Sequence, residues 1–423
     1  MTATRPPKQH SGTVLGLGCL VLFVDGYDLF SLGTIAPSLL RDPAWGATPA
    51  TLGLLGSLTA LGMPFGSIIA GRAADRRGPR LPLLIAITGI SVAMLGAGLA
   101  PGLAGLGIAR FVTGMGVGAL APLVGTMVAN AAPAHRRTLH LAAAMGSIGA
   151  GGTLSALLGR LLLPHAHFQV VFLLGALPIL LLPLIRAWAP AHPPITSDTR
   201  RPLRRLFTPA TRRSTILLWI AAFSSMTLVY STTSWLPTVL MNNGYALTSS
   251  LEFSIAFTVG ASIGGLAVSI YADRGHLRLV TTGTFLLAAA ALFTLSTQQP
   301  RPLLLLVSAL AGLGALGGQN MLIACLSALY PPALRGTSLG YGLGIGRLGA
   351  IAGPAYLALV TTLIASPRAG FYAFMVPALI GAAALYLVPK NFATTSEPTR
   401  DRLRNEPEPT TSDDSPISTQ SRE

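Results

Sequence analysis

Apolar runs of about twenty residues recur along the whole chain, separated by short segments that carry arginine. A helix of that length crosses the roughly 30 Å hydrocarbon core of a bilayer. Inside lipid every backbone polar group needs an internal partner, so such runs must be helical. Twelve spans can be read: 14–40, 50–72, 80–100, 103–131, 138–163, 167–188, 214–240, 250–272, 278–297, 302–329, 336–364 and 368–390. Composition excludes the soluble alternative, since only 10% of the 423 residues are charged against about 25% in soluble domains. The first run reads as a span and not as a signal peptide: it holds Asp25 and Asp28 and lacks a small-residue cleavage pattern.

Arginines set the expected orientation. Arg72, Arg76, Arg77 and Arg80 follow span two, and Arg136 and Arg137 follow span four. Arg200, Arg201, Arg204, Arg205, Arg212 and Arg213 follow span six, while Arg274 and Arg278 follow span eight. The alternate loops hold little more than Arg41, Arg301 and Arg368. The positive-inside rule then places both termini in the cytoplasm. The formal charge of +15 is therefore juxtamembrane charge facing anionic lipid, with no nucleic-acid partner implied. Cys19 and Cys325 lie inside apolar runs, which excludes a disulfide framework and a zinc site.

An internal repeat divides the chain. Gly62, Gly66, Ala74, Asp75 and Arg76 recur as Gly260, Gly264, Ala272, Asp273 and Arg274, displaced by 198 positions. Ser31, Pro37 and Leu40 recur as Ser231, Pro237 and Leu240. The expected fold is an all-α membrane protein of twelve transmembrane helices in two pseudo-symmetric six-helix halves. Its parts are an N-terminal half at 1–188, a basic cytoplasmic linker at 189–213, a C-terminal half at 214–390 and a disordered cytoplasmic tail at 391–423. The tail holds half of the 14 acidic residues, leaving seven for the rest of the chain.

Charges inside the membrane are costly and default to functional hypotheses. Asp25 and Asp28 sit one helical turn apart on one face. Two carboxylates so close in a poor solvent resist being charged together, so one of them is a candidate proton carrier. Asp28, the deeper, is the first choice; the plainer alternative is that one aspartate only pairs with an arginine. Arg110 in span four needs an anion, either an aspartate of span one or a substrate. The glycines that follow it, Gly114, Gly116 and Gly118, suit close helix approach better than a nucleotide loop. Asp75, Arg76 and Arg80, with the echo at Asp273 and Arg274, read as a conformational latch in the loops, or as topology signals alone. Arg160, near the end of span five, reads as a residue that reaches for the interface.

The loop Gly71-Arg-Ala-Ala-Asp75-Arg76-Arg77-Gly78-Pro-Arg80 resembles the signature of the major facilitator superfamily. Asp25-Gly26-Tyr27-Asp28, then Gly33-Thr-Ile-Ala-Pro37, is similar to the acidic first helix of its aromatic acid:proton symporters, the 4-hydroxybenzoate and protocatechuate carriers. Ser234-Trp235-Leu236-Pro237-Thr238, Gly317-Gly318-Gln319-Asn320, Tyr330-Pro331 and Gly344-Ile-Gly346-Arg347-Leu-Gly349 through Gly353-Pro354 match the same family. The resemblance implies the major facilitator fold and import of a small aromatic carboxylate with one or more protons, by alternating access. It also implies a monomeric, multi-pass protein of a bacterial inner membrane, with no cofactor, no metal and no enzymatic step. Arg347 in span eleven is then the first choice to grip the carboxylate. Tyr27, Tyr230, Trp235, Tyr341 and Tyr356 become candidate stacking faces for the ring. Gln319 and Asn320 become candidate readers of its polar groups. The rival readings are a carrier for another organic anion or a sugar acid, a drug:proton antiporter, and a transport-like sensor without turnover.

Overall fold

The computed structural model describes residues 11–133, 137–190, 206–209, 211–271, 277–328 and 335–389. These form α1 (Ser11–Arg41), α2 (Pro49–Arg77), α3 (Arg80–Gly98), α4 (Leu103–Ala131), α5 (Arg137–Leu162), α6 (Gln169–Leu174) and α7 (Leu182–Trp188). After the linker come α8 (Arg212–Asn242), α9 (Leu247–Tyr271), α10 (Leu277–Leu295), α11 (Arg301–Gly312), α12 (Gly318–Ala328), α13 (Arg335–Leu363) and α14 (Ala369–Tyr386). Among the described residues, 10 helical segments are long and apolar enough to cross a membrane. The helices α5 and α9 have the length as well, at 26 and 25 residues. The bundle's outside is apolar: Ile108, Leu180 and Leu363 are 69%, 71% and 73% exposed. That surface is at home in lipid and nowhere else.

Two of the expected spans are not regular helices. The sixth is α6, a 3₁₀ stretch at Leu177–Leu181, and α7 in succession. Gly175 interrupts it, and Pro178 and Pro183 lack the N–H that an α-helical ladder requires. The tenth is α11 and α12 joined by a π turn at Leu313–Gly317. One wide turn resets the rotation of everything after it, and such turns gather at functional positions.

Packing repeats with the sequence. In the first half α1 lies on α5, α2 on α4, and α3 on α6 and α7. In the second half α8 lies on α13, α9 on α11, and α10 on α14. The repeated glycines explain themselves here. A Cβ on Gly62 would stand 2.3 Å from the Phe111 carbonyl of α4, and one on its repeat Gly260 would stand 2.0 Å from the Ala309 carbonyl of α11. The same close crossing is built twice, once in each half.

The halves touch through α2 with α13, α5 with α9, and α1 with α8. A Cβ on Gly33 would reach 1.9 Å from the Thr233 carbonyl, and Ser57 Oγ donates to the Ile351 carbonyl at 2.7 Å. Thr153 and Thr258 hydroxyls meet at 2.8 Å. These contacts run from mid-bundle to the end opposite the arginine-rich loops. The bundle is closed at that end.

Candidate functional site

Gly26 lets the acidic segment reach the centre. A Cβ there would fall 1.8 Å from the Ile148 carbonyl of α5, so only glycine allows α1 to lie this close. The backbone beside Gly26 carries Asp25 and Asp28 into the interior, where they are 7% and 1% exposed. From α4 comes Arg110, 2% exposed, with Nη1 2.8 Å from Asp28 Oδ1. Thr59 of α2 accepts from Arg110 Nε at 3.0 Å, and Ser31 of α1 accepts from Nη1 at 3.3 Å. Both hydroxyls pass the bond on, Thr59 to the Leu55 carbonyl and Ser31 to the Asp28 carbonyl. The Phe172 ring lies 6.0 Å from the guanidinium carbon. A buried charge pair is tolerable only with such a degree of satisfaction; Asp28 Oδ2 lacks a partner among the described residues.

The pair divides the two aspartates. Asp28, the expected proton carrier, is held by Arg110. Asp25 makes no hydrogen bond or ion pair with any described residue. Across from it, Arg347 of α13 is half-buried and likewise unpaired among the described residues, yet its charge acts on both Asp25 and Tyr230. Tyr230 of α8 donates its hydroxyl to Met63 Sδ of α2 at 3.2 Å. One turn earlier on α8, Met226 Sδ accepts from Gln319 Nε2 at 3.4 Å. Thioether sulfur is a weak acceptor, so both donors rest on partners that an oxygen would outcompete. Asn320, half-buried, has no hydrogen-bond partner among the described residues.

Other expectations meet different surroundings. Tyr27, two residues from Asp25, points away from it: its hydroxyl donates to the Val171 carbonyl at 2.7 Å, tying α1 to α6. Tyr341 is 44% exposed; six residues at 100° each set it about a third of a turn from Arg347, on the face that carries exposed Leu348. Tyr356 faces outward too and donates to the Ala373 carbonyl. Trp235 is buried in the part of α8 that meets α1 at the closed end. Arg160 does not simply seek the interface: its Nη2 lies 2.8 Å from Glu252 Oε1 on the other half, and Arg301 binds the second oxygen of Glu252. Glu252 supplies an anion that ties Arg160 to the other half.

In the loops, Arg80 Nε donates to the Ala189 carbonyl at 2.8 Å, joining the start of α3 to the end of α7. Arg76 is exposed at the end of α2. Asp75 lies within α2 with its side chain outside the described ones, and Asp273, Arg274 and the tail at 391–423 lie outside the described residues. Sequence reasoning missed Thr59, Met63, Met226 and Phe172. None carries a charge or a motif, and only the helix packing brings them to the centre.

A two-half bundle of membrane helices, closed at one end around opposed charges, defines a carrier of the alternating-access type. The chain belongs to the Major Facilitator Superfamily, whose sequence profile matches residues 18–354 and 249–419. Among its relatives is the benzoate transport protein of Acinetobacter baylyi, 29% identical over 94% of this chain and 91% of that one. The gentisate transporter of Corynebacterium glutamicum is 30% identical over 87% and 85%. The gallate transporter of Pseudomonas putida is 30% identical over 82% and 85%. A D-xylose-proton symporter shares the fold with a TM-score of 0.72 at 18% identity, over 90% of this chain and 98% of the other. The inward-facing, unoccupied bacterial homologue of the lysosomal transporter Spinster gives 0.68 at 16% identity, over 93% and 99%.

Proposed function

We propose that this protein imports a small aromatic carboxylate together with a proton by alternating access. The observation that carries the reading is the division of charge: Asp28 and Arg110 neutralise each other at 2.8 Å, while Asp25 and Arg347 are unpaired among the described residues. Arg347 is the group to receive the substrate carboxylate in a bidentate fork. Tyr230, Gln319 and Asn320 are the groups to read the ring and its substituents. Trp235, Tyr27 and Tyr341 stand outside this set.

Charge balance gives the stoichiometry. The empty centre is neutral, with ionised Asp25 opposing Arg347. Adding a monoanion leaves one excess negative charge in a site that must cross the membrane interior, which is costly. One proton on Asp25 restores neutrality. The carrier therefore exchanges sides in two neutral forms, empty or loaded with one proton and one monocarboxylate. Asp75, Arg76 and Arg80, with Asp273 and Arg274, are the latch that times the exchange. The relatives' names, all aromatic carboxylates, support the substrate class.

The reading includes the halves at 1–188 and 214–390 joined by the linker at 189–213, a monomer in a bacterial inner membrane, and both termini in the cytoplasm. The test is uptake of labelled benzoate and gentisate into proteoliposomes. A pH gradient should drive accumulation, and a potassium-diffusion potential without a pH gradient should not. Asp25→Asn should abolish pH-driven accumulation while leaving exchange of internal for external substrate. Potential-driven uptake, or wild-type accumulation by the asparagine variant, would overturn the coupling.

A further inference from the structure

Outside the central site, a groove of about 520 Å³ lies on the outer face of the second half. Ile216, Ile220 and Phe223 of α8 line one wall, with Ile345 and Ala352 of α13 and Ile380 of α14 opposite. Ile216, Ile220, Phe223 and Ile380 are exposed to the membrane side. The lining is almost wholly apolar, and Thr227 turns its hydroxyl onto the Phe223 and Gly349 carbonyls. A free carboxylate would find no partner inside. An alkyl chain would.

The basic end of α8 identifies the rest of the occupant. Counting about 100° per residue, Arg212 and Arg213 flank the direction of Ile216 by roughly 40° and 60° on either side. Both are exposed, and no carboxylate among the described residues pairs with them. They stand just above the mouth of the groove. From Ile216 to Thr227 the groove descends about 16 Å, which is one leaflet of a roughly 30 Å core. Trp219 also lines it, with its ring 5.3 Å from that of Phe207 in the segment before α8.

From this placement we infer that the α8–α13–α14 groove is a binding site for one anionic phospholipid of the leaflet on the arginine-rich side, its acyl chain in the groove and its phosphate between Arg212 and Arg213. Arginine pairs hold phosphate oxygens through charge-assisted hydrogen bonds, while the chain fills apolar space that helix packing leaves open. All three walls belong to one half, so the lipid can ride with that half as the carrier changes state.

Trp219 makes the site directly readable. The protein, reconstituted in nanodiscs of phosphatidylcholine, is titrated with phosphatidylglycerol or phosphatidylcholine bearing brominated acyl chains, which quench tryptophan on contact. The difference between wild type and Trp219→Phe isolates the groove signal. Phosphatidylglycerol should quench that signal at a mole fraction on the order of ten-fold lower than phosphatidylcholine does. Arg212→Gln with Arg213→Gln, exposed positions that leave the fold intact, should bring the two lipids to parity. Ala352→Phe should remove the signal for both by filling the groove. Equal quenching by the two lipids in wild type overturns the site, as does full phosphatidylglycerol preference in the double glutamine variant. Displacement of the brominated lipid by benzoate also overturns it and assigns the groove to substrate.

Discussion

Arg110 and Arg347 are the same residue type inside the bundle, and the fold uses them in opposite ways. Arg110 is consumed by Asp28, Thr59 and Ser31; Arg347 is left unpaired among the described residues. Arg347→Lys keeps the charge but loses the planar fork, so benzoate binding should weaken by about 1–3 kcal/mol. Titration calorimetry of the purified carrier checks this, and unchanged affinity would move the anion site elsewhere. Asp28→Asn strands a buried guanidinium and should cost about 3–5 kcal/mol of stability, with Asp28→Leu plus Arg110→Met recovering most of it. Thermal unfolding in detergent reads the difference; a single variant as stable as wild type would show that the pair holds nothing. The sequence showed that these charges were in the membrane. It could not show which aspartate is spent, because that depends on where α4 lies against α1, a contact between residues 82 positions apart. The pairing of Arg160 was hidden for the same reason, since its partner Glu252 is 92 positions away. Tyr341 is a different case: its angle from Arg347 follows from counting residues, and a shared motif is no guarantee of a shared face.

At the scale of elements, small residues decide how near the helices come. Gly26→Ala would place a methyl 1.8 Å from the Ile148 carbonyl, so α1 must back away from α5 and take Asp25 with it. Uptake should fall by at least ten-fold even though no polar group is lost, with impaired thermal stability alongside; full activity would remove the α1–α5 contact from the mechanism. The spans were legible because lipid forces long apolar helices, and the starts and ends of α1 and α8 differ from expectation by only a few residues. The break in the sixth span was not anticipated, although Gly175, Pro178 and Pro183 carry a signal for it. The π turn at Leu313–Gly317 carries no such signal, because Leu-Gly-Ala-Leu-Gly suits an ordinary helix equally well. It is the tight crossing of Gly312 and Gly314 on α9 and α10 that favours the wide turn.

At the scale of the molecule, closure at one end rests on a few polar contacts between the halves. Arg160 is 39% exposed and its bond to Glu252 is partly screened, so the pair is worth no more than about 1 kcal/mol. That is enough to bias two states by a few-fold. Arg160→Gln should therefore open the closed end more often. In a Cys19→Ala, Cys325→Ala background, a cysteine replacing Ser57, which bonds Ile351 across the interface, should then react a few-fold faster with a membrane-impermeant maleimide. An unchanged rate would mean that the helix contacts alone keep this end shut.

The Asp28–Arg110 pair also bears on how the chain is made. Each partner is expensive to insert alone, about 2.5–3.5 kcal/mol per charge at the middle of a helix. Yet α1, with two aspartates, leaves the ribosome well before α4 brings the arginine. Until then α1 has no stable resting place at full depth, so the first unit that can settle is the four-helix hairpin pair α1–α4. Chains stopped before Arg110 should be retained by the insertion machinery or cleared by membrane proteases, whatever the hydrophobicity of the helices already made.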